Sequence, residues 1–196
     1  MLYYICKRNR LYTYRQKEGI MKKCTFKKGE YVVYGSNGIC LVEDVCDFSF
    51  SADIPKKPYF ILKPKNDPNS LIYIPCDNEE LVGRLRSIFS KEQIEALLHK
   101  HACEPADWQE DRKQRVLTFR SVLAKSDPME LLAMIRCIYL KGLEFAENNK
   151  KLSASDKDIL QNAERFIQNE FSFSLGITTE EVAPYIRRIL SLEAAE

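Results

Sequence analysis

The spacing of the apolar residues changes near Pro75, and this change constrains the fold more than any other feature of the chain. Before it, short β-branched and aromatic runs alternate with turn signals, which is typical of strands. After it, apolar residues recur at helical spacing, and the prolines at 105, 128 and 184 each stand near the expected start of an element. The sequence therefore predicts an α+β protein, with a small N-terminal antiparallel β-barrel or meander followed by an α-helical C-terminal domain.

Four or five strands are expected in the N-terminal part. The apolar runs that predict them lie at residues 31–34, 39–45, 59–62 and 71–74. Ser36-Asn37-Gly38 predicts a turn between the first two runs, because Asn and Gly tolerate a positive φ. The segment 66–69, which reads NDPN, predicts a turn before the last run.

Five helices are expected after the strands, at about residues 90–102, 107–124, 128–148, 153–174 and 179–193. Their starts are supported by candidate capping residues. These are Ser90 with Gln93, Asp127 before Pro128, Ser153 or Ser155, and Thr178 with Glu181. The predicted organisation is a basic leader at 1–20, a β domain at 21–80 and a helical domain at 81–196.

The leader carries five basic residues and one glutamate, but it has neither the apolar stretch nor the cleavage site of a secretory signal. Lys17-Glu18-Gly19 can be encoded by a purine-rich run that resembles a bacterial ribosome-binding site at a suitable distance from Met21. We therefore expect Met21 to be the native start.

The composition excludes several classes of protein. The chain is 45% apolar and 30% charged, which is typical of a folded protein rather than a disordered one. No window approaches the ~18–20 consecutive apolar residues of a membrane span. The 30 Lys and Arg nearly balance the 28 Asp and Glu, so this is not a broadly basic nucleic-acid binder. Seven scattered cysteines without a CxxC motif predict reduced thiols in a cytoplasmic protein.

Enzyme and cofactor motifs are not found in the sequence. It contains no GxGxxG, P-loop, GxSxG or HExxH pattern. His99, His101 and Cys103 are close in sequence, but the two histidines point about 200° apart on a helix and are expected at a solvated helix end rather than at a metal. We expect no catalytic residue, cofactor or metal.

Trp108 is the single tryptophan and stands beside a basic stretch, since residues 112–120 contain four basic residues and no acidic one. On the helix predicted at about 107–124, Arg112 and Arg115 lie within about 40° of Trp108. Three interpretations remain open at this point. Trp108 belongs to the core and has a solvated basic flank, or it is an aromatic wedge at a nucleic-acid backbone, or it lies in a protein interface.

Five short blocks in a fixed order resemble the CarD/CdnL family of bacterial transcription regulators over about residues 24–175. The first is FKKGEYVVYGSNGI at 26–39, and the second is Tyr73-Ile74-Pro75. The third is Trp108 followed by Arg112 and Lys113. The last two are LAKSD at 123–127 and LSASD at 152–156. Each block is weak alone, but the ordered set is specific.

The resemblance implies a Tudor-like or SH3-like barrel that binds the β subunit of bacterial RNA polymerase through an exposed strand edge. It also implies a helical domain that contacts promoter DNA at the upstream edge of the transcription bubble and slows bubble collapse. The expected polymerase contacts are Phe48, Tyr73 and Ile74. The expected DNA contacts are Trp108, Arg112, Lys113 and Arg115. Lys113 is included because of the family match, since the helical wheel turns it away from Trp108.

The resemblance therefore implies a non-enzymatic transcription regulator that stabilises the open complex, and we expect it to be a monomer in the cytoplasm, in association with the nucleoid. Its affinity for DNA alone is expected to be weak, because residues 86–196 carry more acidic than basic residues. The alternative is an adaptor of the transcription machinery whose helical domain binds protein rather than DNA.

Overall fold

The computed structural model describes residues 26–51, 53, 55–101 and 105–193. The strands are β1 (Tyr31–Tyr34), β2 (Ile39–Phe48), β3 (Lys57–Pro64), β4 (Ile72–Pro75) and β5 (Leu85–Ser87). The helices are α1 (Glu79–Val82), α2 (Lys91–His101), α3 (Arg112–Lys125), α4 (Pro128–Glu147), α5 (Ala154–Leu175) and α6 (Thr179–Glu193). The predicted leader, Met21 and Cys103 lie outside the described residues.

The α+β class is confirmed, with a five-stranded antiparallel sheet followed by a helical module. Within the part of the chain described, no helix combines the length and apolar character needed to cross a membrane.

The strands pair in the order β4-β3-β2-β1-β5, so β4 and β5 form the two edges of the sheet within the described residues. The predicted turn after β1 is present. Gly38 has a φ of +69° there, and its carbonyl accepts a hydrogen bond from the Tyr34 N–H at 3.0 Å. One face of the sheet buries the side chains of Val32, Val42, Phe60, Leu62 and Ile74. β5 extends the sheet past the predicted domain boundary at residue 80, because Leu85–Ser87 pairs with β1.

Most helix starts follow the predicted caps. Ser90 and Gln93 form a reciprocal capping box, with N–H to side-chain oxygen distances of 2.8 and 3.3 Å. The carboxylate of Asp127 accepts from the N–H groups of Met129 and Glu130. Ser153, not Ser155, caps α5.

The predicted start of α3 at about residue 107 is wrong. The carboxylate of Asp111 accepts from the Gln114 N–H at 2.8 Å and caps the helix, so helical geometry begins at Arg112. Trp108 therefore lies in the segment before α3, and the helical-wheel angles measured from it do not apply.

One apolar core unites the helices of the C-terminal module. Its fully buried members include Ile94, Phe119, Met134, Ile138 and Phe171. The last helix belongs to this core. Val182 of α6 is fully buried, and the Tyr185 hydroxyl donates to Glu95 of α2 at 2.7 Å. Helix α6 thus completes the bundle.

A buried ion pair joins α3 to α5 inside this module. Arg115 donates from Nε and Nη2 to the two carboxylate oxygens of Asp156, each at 3.0 Å, and both side chains are almost fully buried. Ser153 also donates to Asp156, and the backbone carbonyl of Gln109 accepts from Arg115. Nearly every donor and acceptor of the pair is therefore satisfied, as a buried pair requires.

A second ion pair joins the two modules. Arg86 of β5 donates from Nη1 and Nη2 to the Glu170 carboxylate of α5, at 2.6 Å for each bond. The same guanidinium donates to the Ser126 carbonyl at the end of α3, and the Phe89 N–H donates to Glu170. Ser174 of α5 in turn donates to the Phe89 carbonyl. We call Arg86, Glu170, Ser126 and Phe89 the module clasp.

Replacing Asp156 by Asn is expected to lower the free energy of unfolding at neutral pH by about 3–5 kcal/mol, because Arg115 would remain buried with an unpaired charge. Burial alone would raise the pKa of Asp156, but hydrogen bonds from Arg115 and Ser153 and the nearby arginine charges hold it below its usual value. The ion pair therefore contributes its full share to the free energy of unfolding at pH values above the ordinary Asp pKa of about 3.9. This contribution is lost as the pH falls through the lowered pKa that Asp156 has in the folded protein.

Urea unfolding of the wild-type chain and Asp156→Asn between pH 7 and pH 3 checks this expectation. The difference in free energy of unfolding between the wild type and Asp156→Asn should shrink toward pH 3. The control is Asp158→Asn, which replaces an exposed carboxylate of the same helix and should match the wild type at every pH. A difference that does not depend on pH would contradict the assignment of the pair.

Candidate interaction surfaces

Four aromatic side chains gather at one end of the sheet on its outer face. We call this set, Phe48, Phe50, Tyr59 and Tyr73, the aromatic patch. Its ring centroids lie 4.9 to 6.2 Å apart, and most of the rings meet edge to face. Phe50 is 63% exposed, and the other three rings are half-buried. The patch therefore presents aromatic surface to solvent beside the edge strand β4.

The alternation of the strands creates the patch. Phe60 of β3 and Ile74 of β4 pair with each other and turn into the core, so their neighbours Tyr59 and Tyr73 turn outward. Phe48 ends β2, and its ring lies 4.9 Å from that of Tyr73. The structure thus brings together two of the three residues predicted as polymerase contacts.

Ile74, the third predicted polymerase contact, has a side chain that is only 1% exposed and packs in the sheet core. It can offer a partner only its backbone, because β4 is an edge strand. Sequence reasoning missed Phe50 and Tyr59. The Phe-x-Phe pattern at 48–50 and the position of Tyr59 one residue before buried Phe60 could have indicated them.

Trp108 lies at the rim of the helical core, partly buried against α3 and α4. Its ring meets those of Phe119 and Phe145 edge to face, with centroids 6.5 and 5.9 Å away. The Arg115 guanidinium stands 4.0 Å from its centroid, and the Lys141 ammonium 5.8 Å. Two cations therefore lie close to the Trp108 ring, in line with the electrostatic preference of the indole ring.

The indole N–H of Trp108 is buried and has no hydrogen-bond partner among the residues that the structure describes. A buried donor without an acceptor costs about 1–3 kcal/mol relative to a satisfied one. This part of the ring faces the protein, so only the remainder of the indole is available to an outside partner.

Arg115, predicted as a DNA contact, is 6% exposed and fully engaged with Asp156, Gln109 and the Trp108 ring. The cost of withdrawing this guanidinium from a buried carboxylate makes it a structural residue rather than a phosphate ligand. Sequence reasoning placed it correctly near Trp108 but assigned it to the surface.

Arg112 and Lys113, at the start of α3, are both exposed. Arg112 donates from Nη2 to the Ser155 hydroxyl at 2.8 Å, at the start of α5. These two predicted DNA contacts are therefore accessible to a partner.

Lys141 was not anticipated from the sequence. Its ammonium lies 2.9 Å from Glu144 and 3.5 Å from Glu110, close to the Trp108 ring. The hydrogen bond to Glu144 and the charges of Glu110 and Glu144 raise the pKa of Lys141. Acidic side chains thus accompany the cations around Trp108.

Metal-ligating residues do not cluster in the described ranges, where no group of three or more His, Cys, Asp or Glu side chains is placed to hold an ion. Cys40 and Cys137 are buried free thiols that pack as small apolar side chains in the two cores.

Two family models match the chain in consecutive segments. The CarD-like/TRCF RID domain matches residues 26–88, which contain the whole sheet. The CarD C-terminal domain matches residues 93–187, which contain most of the helical module. No curated protein matches the chain significantly.

Trp108→Phe is expected to change the free energy of unfolding by less than about 1 kcal/mol, because it keeps an aromatic ring and removes the unpartnered N–H. Trp108→Ala is expected to lower it by about 2–4 kcal/mol, because it leaves a cavity beside Phe119. Urea unfolding followed by circular dichroism measures both variants. A Phe variant as unstable as the Ala variant would mean that the indole N–H does bond in solution.

Proposed function

The chain belongs to the CarD-like family, whose members are transcription-associated proteins that interact with RNA polymerase, and from this we propose the following function. It is a non-enzymatic regulator that binds the polymerase β subunit through its sheet and promoter DNA at the upstream bubble edge through its helical module. By this double contact it stabilises the open complex. It needs no cofactor and works as a monomer in the cytoplasm, at the nucleoid.

The observation that carries the proposal is the aromatic patch beside the edge strand β4. An edge strand offers unpaired backbone groups to which a strand of a partner can pair. Aromatic side chains next to that edge supply contact area and are frequent among the residues that dominate interface energy. Phe48, Phe50 and Tyr73 are the proposed polymerase contacts, with Ile74 contributing its backbone.

On the DNA side, the accessible cations Arg112 and Lys113 are the proposed phosphate contacts. The partly exposed indole of Trp108 is the proposed wedge at the bubble edge. The acidic excess of the helical module keeps its affinity for free DNA low. Binding to polymerase compensates for this, because a tethered module meets the promoter at a high effective concentration.

Stabilisation of the open complex follows from differential binding. A protein that binds the melted promoter better than the closed one shifts the equilibrium by the ratio of the two affinities. The bubble edge provides DNA geometry that the closed duplex does not, so contacts there favour the melted state. The module clasp supports this mechanism, because it holds the helical module in one orientation relative to the sheet.

An adaptor function is the second candidate, and one observation favours it. Tyr139, Leu140 and Leu143 of α4 are 60%, 44% and 48% exposed and lie near one another on the helix surface. An apolar surface of this kind is also typical of protein–protein contacts.

The proposal predicts that Phe50→Ala weakens binding to the cognate polymerase about ten- to thirtyfold, as expected when an aromatic anchor is lost. The same variant should lose most of the effect on open-complex lifetime at concentrations that saturate the wild type. Tyr139→Ala, an equally exposed aromatic on α4, is the matched control and should behave as the wild type.

Polymerase titration and the decay of competitor-resistant promoter complexes measure the two effects in the same samples. A wild-type chain that binds polymerase but leaves the open-complex lifetime unchanged would favour the adaptor. A Tyr139→Ala variant that loses the effect while Phe50→Ala keeps it would contradict the assignment of the aromatic patch.

A further inference from the structure

The outer face of α3 combines an exposed leucine with cations. One side of the helix carries Lys113, Leu117 and Arg120, because they are spaced four and three residues apart in the sequence. Leu117 is 62% exposed, and both cations are exposed. Arg115 and Phe119, on the opposite side of the helix, are buried in the core. This face therefore points away from the bundle.

The charge of α3 sets it apart from the other long helices. Its sequence, RKQRVLTFRSVLAK, contains no acidic residue. Helices α4, α5 and α6 each carry several Asp or Glu residues. A helix with exposed cations and no acidic residue of its own, in a slightly acidic module, is complementary to a polyanion, and this favours nucleic acid over an average protein surface.

We propose that this outer face of α3 is a second contact with duplex DNA, with Leu117 packed in the minor groove between phosphates bound by Lys113 and Arg120. Residues seven positions apart are separated by about 10 Å along a helix. From two positions this far apart, the long side chains of a Lys and an Arg can each reach a phosphate on a different DNA strand, on either side of a minor groove about 6 Å wide. Leucine is one of the apolar side chains that minor-groove proteins place between such phosphate contacts.

This contact shares Lys113 with the proposed Trp108 surface and adds Leu117 and Arg120, which are both exposed. The indole ring packs against Arg115 and Phe119, on the buried side of α3. Leu117 lies about 160° around the helix from Arg115. The outer face of α3 therefore meets duplex adjoining the bubble edge. The inference rests on the proposed function, to which it adds a further DNA-contacting surface.

Fluorescence anisotropy of the full chain with a labelled duplex of about 20 base pairs, at about 50 mM salt where phosphate contacts are strong, tests the inference directly. Leu117→Ala should weaken duplex binding about three- to tenfold, as expected for one partly buried leucine contact. Leu71→Ala, at a leucine of the sheet module that is 48% exposed, is the matched control and should bind as the wild type. Because Leu117 is exposed, its variant should keep the wild-type melting temperature.

Arg120→Gln, which leaves Lys113 of the first proposed contact in place, should reduce the slope of log affinity against log salt by about one. Wild-type affinity in Leu117→Ala, or no duplex binding by the wild-type chain, would overturn the inference. So would a Leu117→Ala variant that loses polymerase binding rather than duplex binding, since the face would then be a protein contact. An unchanged open-complex lifetime with the wild-type chain would instead count against the proposed function.

Discussion

The ion pair between Arg86 and Glu170 is the interaction on which the arrangement of this protein depends. Both carboxylate oxygens accept a guanidinium N–H at 2.6 Å, and Glu170 is almost fully buried. The same arginine reaches the Ser126 carbonyl, so a single side chain of β5 contacts the end of α3 and the C-terminal part of α5. Loss of either partner would leave a charge without compensation, which typically costs about 3–5 kcal/mol. Around this clasp, Tyr31 packs against Phe173, and Lys65 lies over the same ring.

The clasp gives the two candidate surfaces a common frame. The aromatic patch lies on the sheet and α3 lies on the bundle, so their separation is fixed only if the modules cannot rotate about residues 88–90. A protein that binds polymerase and DNA at the same time benefits from a rigid connection between its two modules. Each contact then contributes without the entropic cost of ordering a flexible joint. The helical core supports the same geometry from within, because Arg115 and Asp156 hold α3 against α5.

Local chemistry made much of the fold predictable. The turn at Ser36-Asn37-Gly38, the cap at Asp127 and the boundaries of α6 all follow from residues close in sequence. The start of α3 was predicted wrongly because apolar spacing continues through Trp108, and the competing cap at Asp111 decides where the helix begins. The burial of Ile74 was not predicted, because the side of a strand that faces the core depends on the sheet it joins. The clasp could not be predicted at all, since Arg86 and Glu170 are far apart in the chain and only the folded modules bring them together.

We propose that one rigid molecule meets polymerase with its sheet and promoter DNA with its helical module. Hydroxyl-radical footprinting of side chains tests it most directly, because Phe50 and Leu117 are 63% and 62% exposed in the free chain. With polymerase alone, Phe50 should be protected while Leu117 stays reactive. On addition of promoter DNA and formation of the open complex, Leu117 should become protected as well. Protection of Leu117 by polymerase alone, or continued reactivity of Phe50 in the assembled complex, would contradict the account.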